Sequence, residues 1–138
     1  MNYKIIGKYI KELNFKIPDA ETFSLLSKDI SNYRIKVDIK SKQIKERVLE
    51  IETKLCLEPI NDKQKKIDTT IIYAAIVELS KSLTDKKNIE KVVLIDVPSE
   101  IYPELRRSFI FLFEKSGFKD IKISEQINFE KLYKAKEN

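Results

Sequence analysis

Covalent or acid–base chemistry in this chain would have to come from Cys56 or from carboxylates and lysines. The carboxylates and lysines are scattered along segments whose patterns indicate exposure to solvent. The sequence contains no histidine, which removes Ser-His and Cys-His nucleophilic machinery and the commonest general base. One cysteine without histidine also leaves no ordinary zinc site. Cys56 falls in an alternating strand pattern, which favours an inert packed thiol over a nucleophile. We therefore expect a protein that is not an enzyme and holds no metal.

The small numbers of glycines and cysteines limit which ligands the protein can bind and indicate its cellular compartment. Gly7 and Gly117 are the only glycines, so neither a P-loop nor a dinucleotide fingerprint can be written, and we expect no cofactor. A single cysteine cannot form an internal disulfide, which fits a reducing cytoplasm. The N-terminus lacks an apolar run typical of a signal peptide, and no stretch approaches the ~20 apolar residues that span a bilayer. We expect a soluble, cytoplasmic protein.

The positive charge raises the possibility of a nucleic-acid partner. The chain has 27 Lys and Arg against 22 Asp and Glu, a net charge of +5. Acids and bases are interleaved, however, as in the run from Lys36 to Lys40, and the densest lysine runs fall in presumed loops. A basic scaffold that binds nucleic acid or a folded partner therefore stays open as an alternative.

Four alternating segments predict strands in a chain of 138 residues, which is the length of a single domain, 1–138. The strand patterns cover Tyr9–Ile17, Tyr33–Lys40, Val48–Glu58 and Ile67–Leu79. Short turns separate the middle strands, which favours antiparallel pairing. Between the first two strands, residues 20–32 are interpreted as a crossover loop with one helical turn.

The second half of the chain predicts helices. Residues 80–97 read as a long connection in which 92–95 form a short strand or a loop anchor. A helix of about 17 residues then begins near Ser99 and stops before Gly117, and Asn128 is a suitable N-cap for a short last helix. The prediction is an α+β fold: a four-stranded antiparallel sheet backed by a long helix and a short C-terminal helix.

The predicted long helix is apolar nearly all round. One stripe of Ile101, Leu105, Phe109 and Leu112 can lie on the sheet. A second apolar face needs another cover, and the hypothesis is a second copy of the chain. The interface residues expected on this basis are Tyr102, Phe109, Phe111 and Phe113. The alternative is a core helix buried within one subunit.

Motifs at the two ends of the chain together resemble the SecB family of protein-export chaperones. The N-terminal motif runs from Tyr9 to Phe15 and ends in Pro18-Asp19-Ala20; the helix-start motif is Pro98, Ile101, Tyr102, Pro103 and Arg106. The closing motif comprises Gly117, Phe118, Ile121, Ile123, Asn128, Phe129, Leu132 and Tyr133. Ala74-Ala75 stands where the family usually has paired glycines. The resemblance covers nearly the whole chain.

The resemblance implies an ATP-independent holdase that keeps polypeptides unfolded for export or assembly. It also implies a homo-tetramer, built as a dimer of dimers with the long helices in the central interface. The apolar residues predicted to contact unfolded clients are Phe23, Leu25, Leu26, Phe118, Ile121, Phe129, Leu132 and Tyr133. Packing in the subunit core is the alternative for each of them.

The SecA translocation motor is the further partner implied by the resemblance. The family presents an acidic sheet face to this motor, and here Glu12 keeps that character while Lys16, Asp68 and Thr70 occupy the other aligned positions. The surface is therefore mixed in charge. A SecB-like chaperone dedicated to one client, such as an antitoxin, is the alternative to general export.

Overall fold

The computed structural model describes residues 2–30, 33–60, 67–118 and 126–137. Within them, four strands form one antiparallel sheet in the order β1-β4-β3-β2, with the bounds β1 (Tyr3–Lys16), β2 (Tyr33–Lys45), β3 (Val48–Pro59) and β4 (Asp68–Leu79). The helices are α1 (Ala20–Asp29), α2 (Lys86–Lys91), α3 (Val97–Lys115) and α4 (Phe129–Glu137), and a π-helical turn (Val92–Asp96) joins α2 to α3. The predicted α+β architecture is confirmed.

One face of the sheet packs on the long helix, and this contact forms the core. Alternation places Ile51, Thr53 and Leu55 of β3 on this inner face, fully buried, while Glu52 and Lys54 turn outward. The helix contributes a buried stripe of Val97, Ile101, Tyr102, Leu105, Phe109 and Phe113. The core therefore lies between β3, β4 and α3.

β1 begins at Tyr3 rather than at Tyr9 and does not alternate strictly. Its register against β4 shifts between Ile5 and Gly7 and again between Ile10 and Glu12. Each shift adds a residue and reverses which face the next side chains occupy. Leu13 and Phe15 consequently face the helix, whereas Tyr9 and Lys11 face outward. Strict alternation over the predicted strand Tyr9–Ile17 would place all four side chains on one face, and that expectation is wrong.

The predicted crossover loop contains a helix of 10 residues, α1. Asp19 caps it, since its carboxylate accepts a hydrogen bond from the Thr22 backbone N–H at 2.7 Å. Among the α1 side chains that the structure describes, those of Thr22 and Leu26 are buried. A short helix with so narrow a buried stripe shows no sustained period, which is why its sequence reads as a loop.

The long helix begins at Lys86 and not near Ser99. Together α2, the π-helical turn and α3 span 30 residues, capped by Asp85, whose carboxylate accepts from the Lys87 N–H at 3.2 Å. Residues 92–95, predicted as a strand or anchor, form most of the π-helical turn. Burial of Val92 and Val93 against the core outweighs the strand preference of their β-branched side chains.

The end of the long helix follows the prediction. Gly117 adopts φ +98, a left-handed conformation that favours glycine. Asn128 caps α4, because its side-chain oxygen accepts from the Lys131 N–H at 2.9 Å. Residues 119–125, which include Ile121 and Ile123 of the closing motif, lie outside the described residues. Among the helices described here, none has the length and apolar character needed to cross a membrane.

Candidate functional site

A shallow apolar groove runs between α4 and the inner face of β2. We call it the α4 groove and define it by its lining residues, Val37, Ile39, Leu94, Leu132 and Tyr133. The space within it is about 40 Å³, little more than the roughly 30 Å³ that one water molecule occupies. Leu132 is 43% exposed at the rim. An apolar side chain can enter only if α4 moves, and the exposed rim is where it would first make contact.

Two attachments hold α4 over the groove. Phe129, 2% exposed, packs edge-on against Tyr102 with ring centroids 6.1 Å apart. Near the other end of α4, the Tyr133 hydroxyl donates to the Glu90 carboxylate at 2.9 Å. Glu130, Lys131 and Lys134 of α4 are exposed, and Lys134 lies 3.6 Å from Glu130. Because α4 has only nine residues and lies over the groove, it is the element whose displacement would open the groove.

A second apolar cluster joins α1 to the end of α3. The rings of Phe23 and Phe118 lie 4.8 Å apart, and Phe118 lies 5.6 Å from Phe113 in the core. Phe23 also packs over Gly117, where an added Cβ would come within 3.2 Å of its ring. Leu25 is 46% exposed beside this cluster. The cluster fixes α1 against the helix and leaves one leucine available to a ligand.

The predicted client residues separate into three groups. Leu26, Phe118 and Phe129 are buried and anchor the elements that carry them, which corrects the expectation that they form groove surface. Phe23 and Tyr133 are half-buried, Leu25 and Leu132 are exposed, and Ile121 lies outside the described residues. Sequence reasoning missed Val37 and Ile39 because a half-buried groove floor alternates in the same way as core, and it missed Leu94 because residues 92–95 were interpreted as a strand or loop anchor.

An exposed apolar surface lies on the opposite edge of the sheet. Ile10 and Leu13 of β1, with Phe111 and Leu112 of α3, line an open cleft of about 440 Å³. We call this surface the β1–α3 face. Phe111 is 56% exposed, Leu13 50% and Ile10 48%, more apolar exposure than a lone surface side chain explains.

The structure corrects three of the four residues expected on a second, solvent-facing side of the helix. Tyr102, Phe109 and Phe113 are buried in the subunit's own core, each at most 2% exposed. They share one stripe because spacings of seven and four residues return to the same side of a helix. Phe111, two residues from each phenylalanine, points away from this stripe and is the member that remains exposed.

Polar contacts fix α3 to the sheet beside the β1–α3 face. The Glu104 carboxylate accepts from the Tyr73 hydroxyl at 2.7 Å and from the Lys8 ammonium at 3.1 Å. Both hydrogen bonds favour the charged form, so they lower the pKa of Glu104. Nearby, the Tyr3 hydroxyl donates to Glu100 at 3.0 Å, and burial together with this acceptor raises the pKa of Tyr3 to about 12.

The outer face of the sheet carries a carboxylate held by β1. Glu50, 9% exposed, accepts from the Tyr9 hydroxyl and from the Lys11 ammonium, the latter at 2.7 Å. Hydrogen bonds from Lys11 and Tyr9 lower the pKa of Glu50. The two β1 side chains cross Ala74 of the intervening strand, so a small residue suits that position. Exposed Glu12 shares this outer face.

Catalytic and metal-binding arrangements are not seen in the described part of the chain. No three cysteine, aspartate or glutamate side chains among those residues come together as metal ligands. Cys56 lies on the outer sheet face, half-buried, and burial raises the pKa of its thiol, which disfavours the nucleophilic thiolate. The apolar surfaces are thus the features that could bind a partner.

Comparisons with known proteins agree with this reading. The family model for "Preprotein translocase subunit SecB" matches residues 1–138. The chain is 39% identical to a protein of Pelagibacter ubique named as a SecB protein-export protein, over 99% of this chain and 98% of that protein. It is 27% identical to the protein-export protein SecB of Rhodospirillum rubrum, covering 94% of this chain and 79% of that one.

A solved structure shows the same fold. The SecB-like chaperone of Mycobacterium tuberculosis, solved in complex with a peptide from the HigA1 antitoxin, superposes with a TM-score of 0.63. The match covers 89% of this chain and 90% of that chain at 10% sequence identity.

Proposed function

This chain belongs to the SecB family of protein-export chaperones, and from that premise we propose that it is an ATP-independent holdase whose α4 groove binds unfolded polypeptides. The observation that carries the proposal is the groove itself, an apolar floor on β2 closed by a helix with two attachments. An extended client that displaces α4 would cover the floor formed by Val37 and Ile39.

Affinity at one groove is expected to be modest. Burying one large apolar side chain contributes roughly 1.5–3 kcal/mol, and ordering an unfolded segment costs about 2–5 kcal/mol of the gross gain. Two or three client side chains per groove therefore give weak binding. Tight retention requires several grooves that act on one client, and hence an oligomer.

We propose a homo-tetramer, arranged as a dimer of dimers, in which the β1–α3 face is covered by a second copy. Ile10, Leu13 and Phe111 support the proposal, since each is about half exposed in the isolated subunit. This face lies on the far side of the sheet from β2. Assembly through it would leave the α4 groove open to clients.

General export is favoured over service to a single client. The Pelagibacter relative, 39% identical along nearly the full chain, carries a protein-export name, whereas the antitoxin-bound neighbour shares 10% identity. For export the client must reach a translocation motor, and we propose that SecA contacts the outer sheet face around Glu12. A cytoplasmic location follows from that role.

The test is aggregation of a chemically unfolded protein on dilution, followed by light scattering with no nucleotide present. The wild-type chaperone is expected to delay aggregation. A Leu132→Ser, Tyr133→Ala variant should lose most of this effect while remaining folded by circular dichroism. Ile44→Ser is the matched control, because Ile44 is 51% exposed on β2 but does not line the groove.

Two outcomes would contradict the proposal. Equal activity of the groove variant and the control would remove the α4 groove as the client site. Binding of a nucleic-acid duplex in place of the unfolded protein would favour the basic-scaffold alternative.

A further inference from the structure

The free edge of β2 is long and regular. In the sheet order β1-β4-β3-β2, β2 pairs with β3 on one side, and no described strand pairs with its other side. Its register against β3 runs without a shift from Tyr33 to Gln43. The other edge strand, β1, is interrupted by two register shifts, a feature that blocks strand addition. β2 is therefore the edge that could accept an added strand.

The inner side of this edge is apolar. Val37 and Ile39 form the floor of the α4 groove, and Leu132 stands at its rim. A strand added beside β2 continues the pleat, so every second side chain of the ligand would point toward this floor.

The outer side of this edge is basic. Its residues are Arg34, Lys36, Asp38, Lys40 and Lys42, and the lysines are exposed. Glu52 and Glu50 lie opposite Lys40 and Lys42 in the register. Both carboxylates form ion pairs with Lys11, at 3.4 and 2.7 Å, and the charge of Lys42 contributes to the lowered pKa of Glu50. Lys36 lies opposite Cys56, which carries no charge in its thiol form.

We propose that the edge of β2 binds an extended segment in which apolar residues alternate with acidic ones, by adding that segment to the sheet. Apolar side chains would enter the α4 groove, and the acidic ones would lie beside Lys36, Lys40 and Lys42. Side chains directly opposite on neighbouring strands have Cβ atoms about 4.5–5.5 Å apart, within reach of an ion pair. The inference rests on the proposed function and names the class of client segment that the groove prefers.

The same lysines explain why the edge of β2 would prefer acidic segments to basic ones and to a second β2 edge. Two β2 edges brought together would bring two rows of lysines close to each other, and this repulsion disfavours pairing between copies. A basic client strand meets the same repulsion, whereas an acidic one is attracted. The row from Lys36 to Lys42 spans about 20 Å of strand, so a ligand of roughly seven residues is long enough to engage it.

The experiment uses three synthetic peptides, each labelled for fluorescence anisotropy: one alternates leucine and glutamate, a second has the same composition in two blocks, and a third alternates leucine and lysine. The alternating acidic peptide is expected to bind about tenfold more tightly than either control, the combined effect of three exposed ion pairs. Replacing Lys36, Lys40 and Lys42 by glutamate should reverse the preference between the acidic and basic peptides.

The matched control replaces Lys4, Lys16 and Lys28 by glutamate, three exposed lysines outside β2 with the same change in net charge, and should keep the preference. Methylating the backbone nitrogens of the acidic peptide tests strand addition. Methyl groups on one alternate set of residues should abolish binding, and those on the other set should leave it unchanged.

The outcomes separate this inference from the holdase function. Binding that ignores peptide order, or tolerates methylation on both sets, would overturn strand addition while retained aggregation suppression upholds the holdase. Loss of aggregation suppression with order-dependent peptide binding would instead overturn the holdase and support the edge. A shift caused equally by both lysine triplets would also overturn the proposal, because general charge attraction would then explain it.

Discussion

The β1–α3 face and the α4 groove are both apolar, but they differ in how firmly their walls are held. The β1–α3 face is built on β1 and α3. Strand β1 is paired with β4 along its length, and Glu104 of α3 forms hydrogen bonds with Tyr73 of β4 and Lys8 of β1. The α4 groove is closed by a short helix attached through Phe129 and Tyr133.

This difference separates two kinds of binding. A rigid apolar surface loses little conformational freedom when it is covered, which suits a permanent partner such as another subunit. A short helix that opens locally would suit the proposed clients, which must be released. Under the proposed function, one subunit thus has a surface suited to assembly at the β1 edge of the sheet and a surface suited to exchange at the β2 edge.

The largest expected effect distinguishes the core stripe of α3 from its exposed side. Phe109→Ala should lower the free energy of unfolding by about 3–5 kcal/mol, since Phe109 is 1% exposed and its removal leaves a cavity. Phe111→Ala is the matched control, two residues away and 56% exposed. Denaturant unfolding at fixed protein concentration measures both. Equal losses would mean that both phenylalanines are buried in the subunit.

Charge on the β1–α3 face should affect assembly rather than folding. If a second copy covers this face, Phe111→Glu buries an unpaired carboxylate and weakens association by roughly 3 kcal/mol per contact. Analytical ultracentrifugation should show smaller species that keep the wild-type circular dichroism spectrum. An unchanged oligomer would show that this face is not the interface.

The attachment of α4 can be loosened by one atom. Tyr133→Phe removes the hydrogen bond to Glu90 but keeps the apolar wall of the groove. A lost hydrogen bond of about 1 kcal/mol makes α4 correspondingly easier to displace, so client association should accelerate roughly fivefold. Stopped-flow binding of an unfolded peptide measures the rate. A slower rate would indicate that α4 recruits clients in its closed position.

Periodicity in the sequence was sufficient to predict that the four strands and the last helix are present. The alternation of β3 and the cap at Asn128 each depend on neighbouring residues alone, and both were predicted correctly. The β1 register failed because its two shifts depend on pairing with β4, which local alternation does not encode.

The prediction for the region of the long helix was wrong for a related reason. Val92, Val93 and Ile95 have β-branched side chains typical of a strand, but burial of Val92 and Val93 against the core favours a helix there. The sequence of α3 is almost wholly apolar, so it does not indicate which side of the helix faces the sheet. Phe109 and Phe111 were therefore both predicted to lie in an interface. Their burial, 1% against 56% exposed, follows from where the sheet lies.

The smallest expected effect is on acid stability and separates the sheet from the α4 groove. Glu50 and Glu104 both have pKa values lowered in the folded state. Glu50 joins β3 to β1, and Glu104 joins α3 to β1 and β4. A lowered pKa contributes stability that is fully present above the unfolded value of 4.5 and disappears as pH falls through the folded value.

We therefore expect the melting temperature to decline below about pH 4.5 and to change little, through these groups, above it. Glu50→Gln should lower the melting temperature at neutral pH and flatten the decline in acid, because one of the titrating groups is gone. Glu130→Gln is the control, since its partner Lys134 is a solvent-exposed neighbour on α4. Melting curves from pH 3 to 7 test both variants. If Glu130→Gln flattened the acid limb as much as Glu50→Gln does, the acid sensitivity would belong to α4 and not to the sheet.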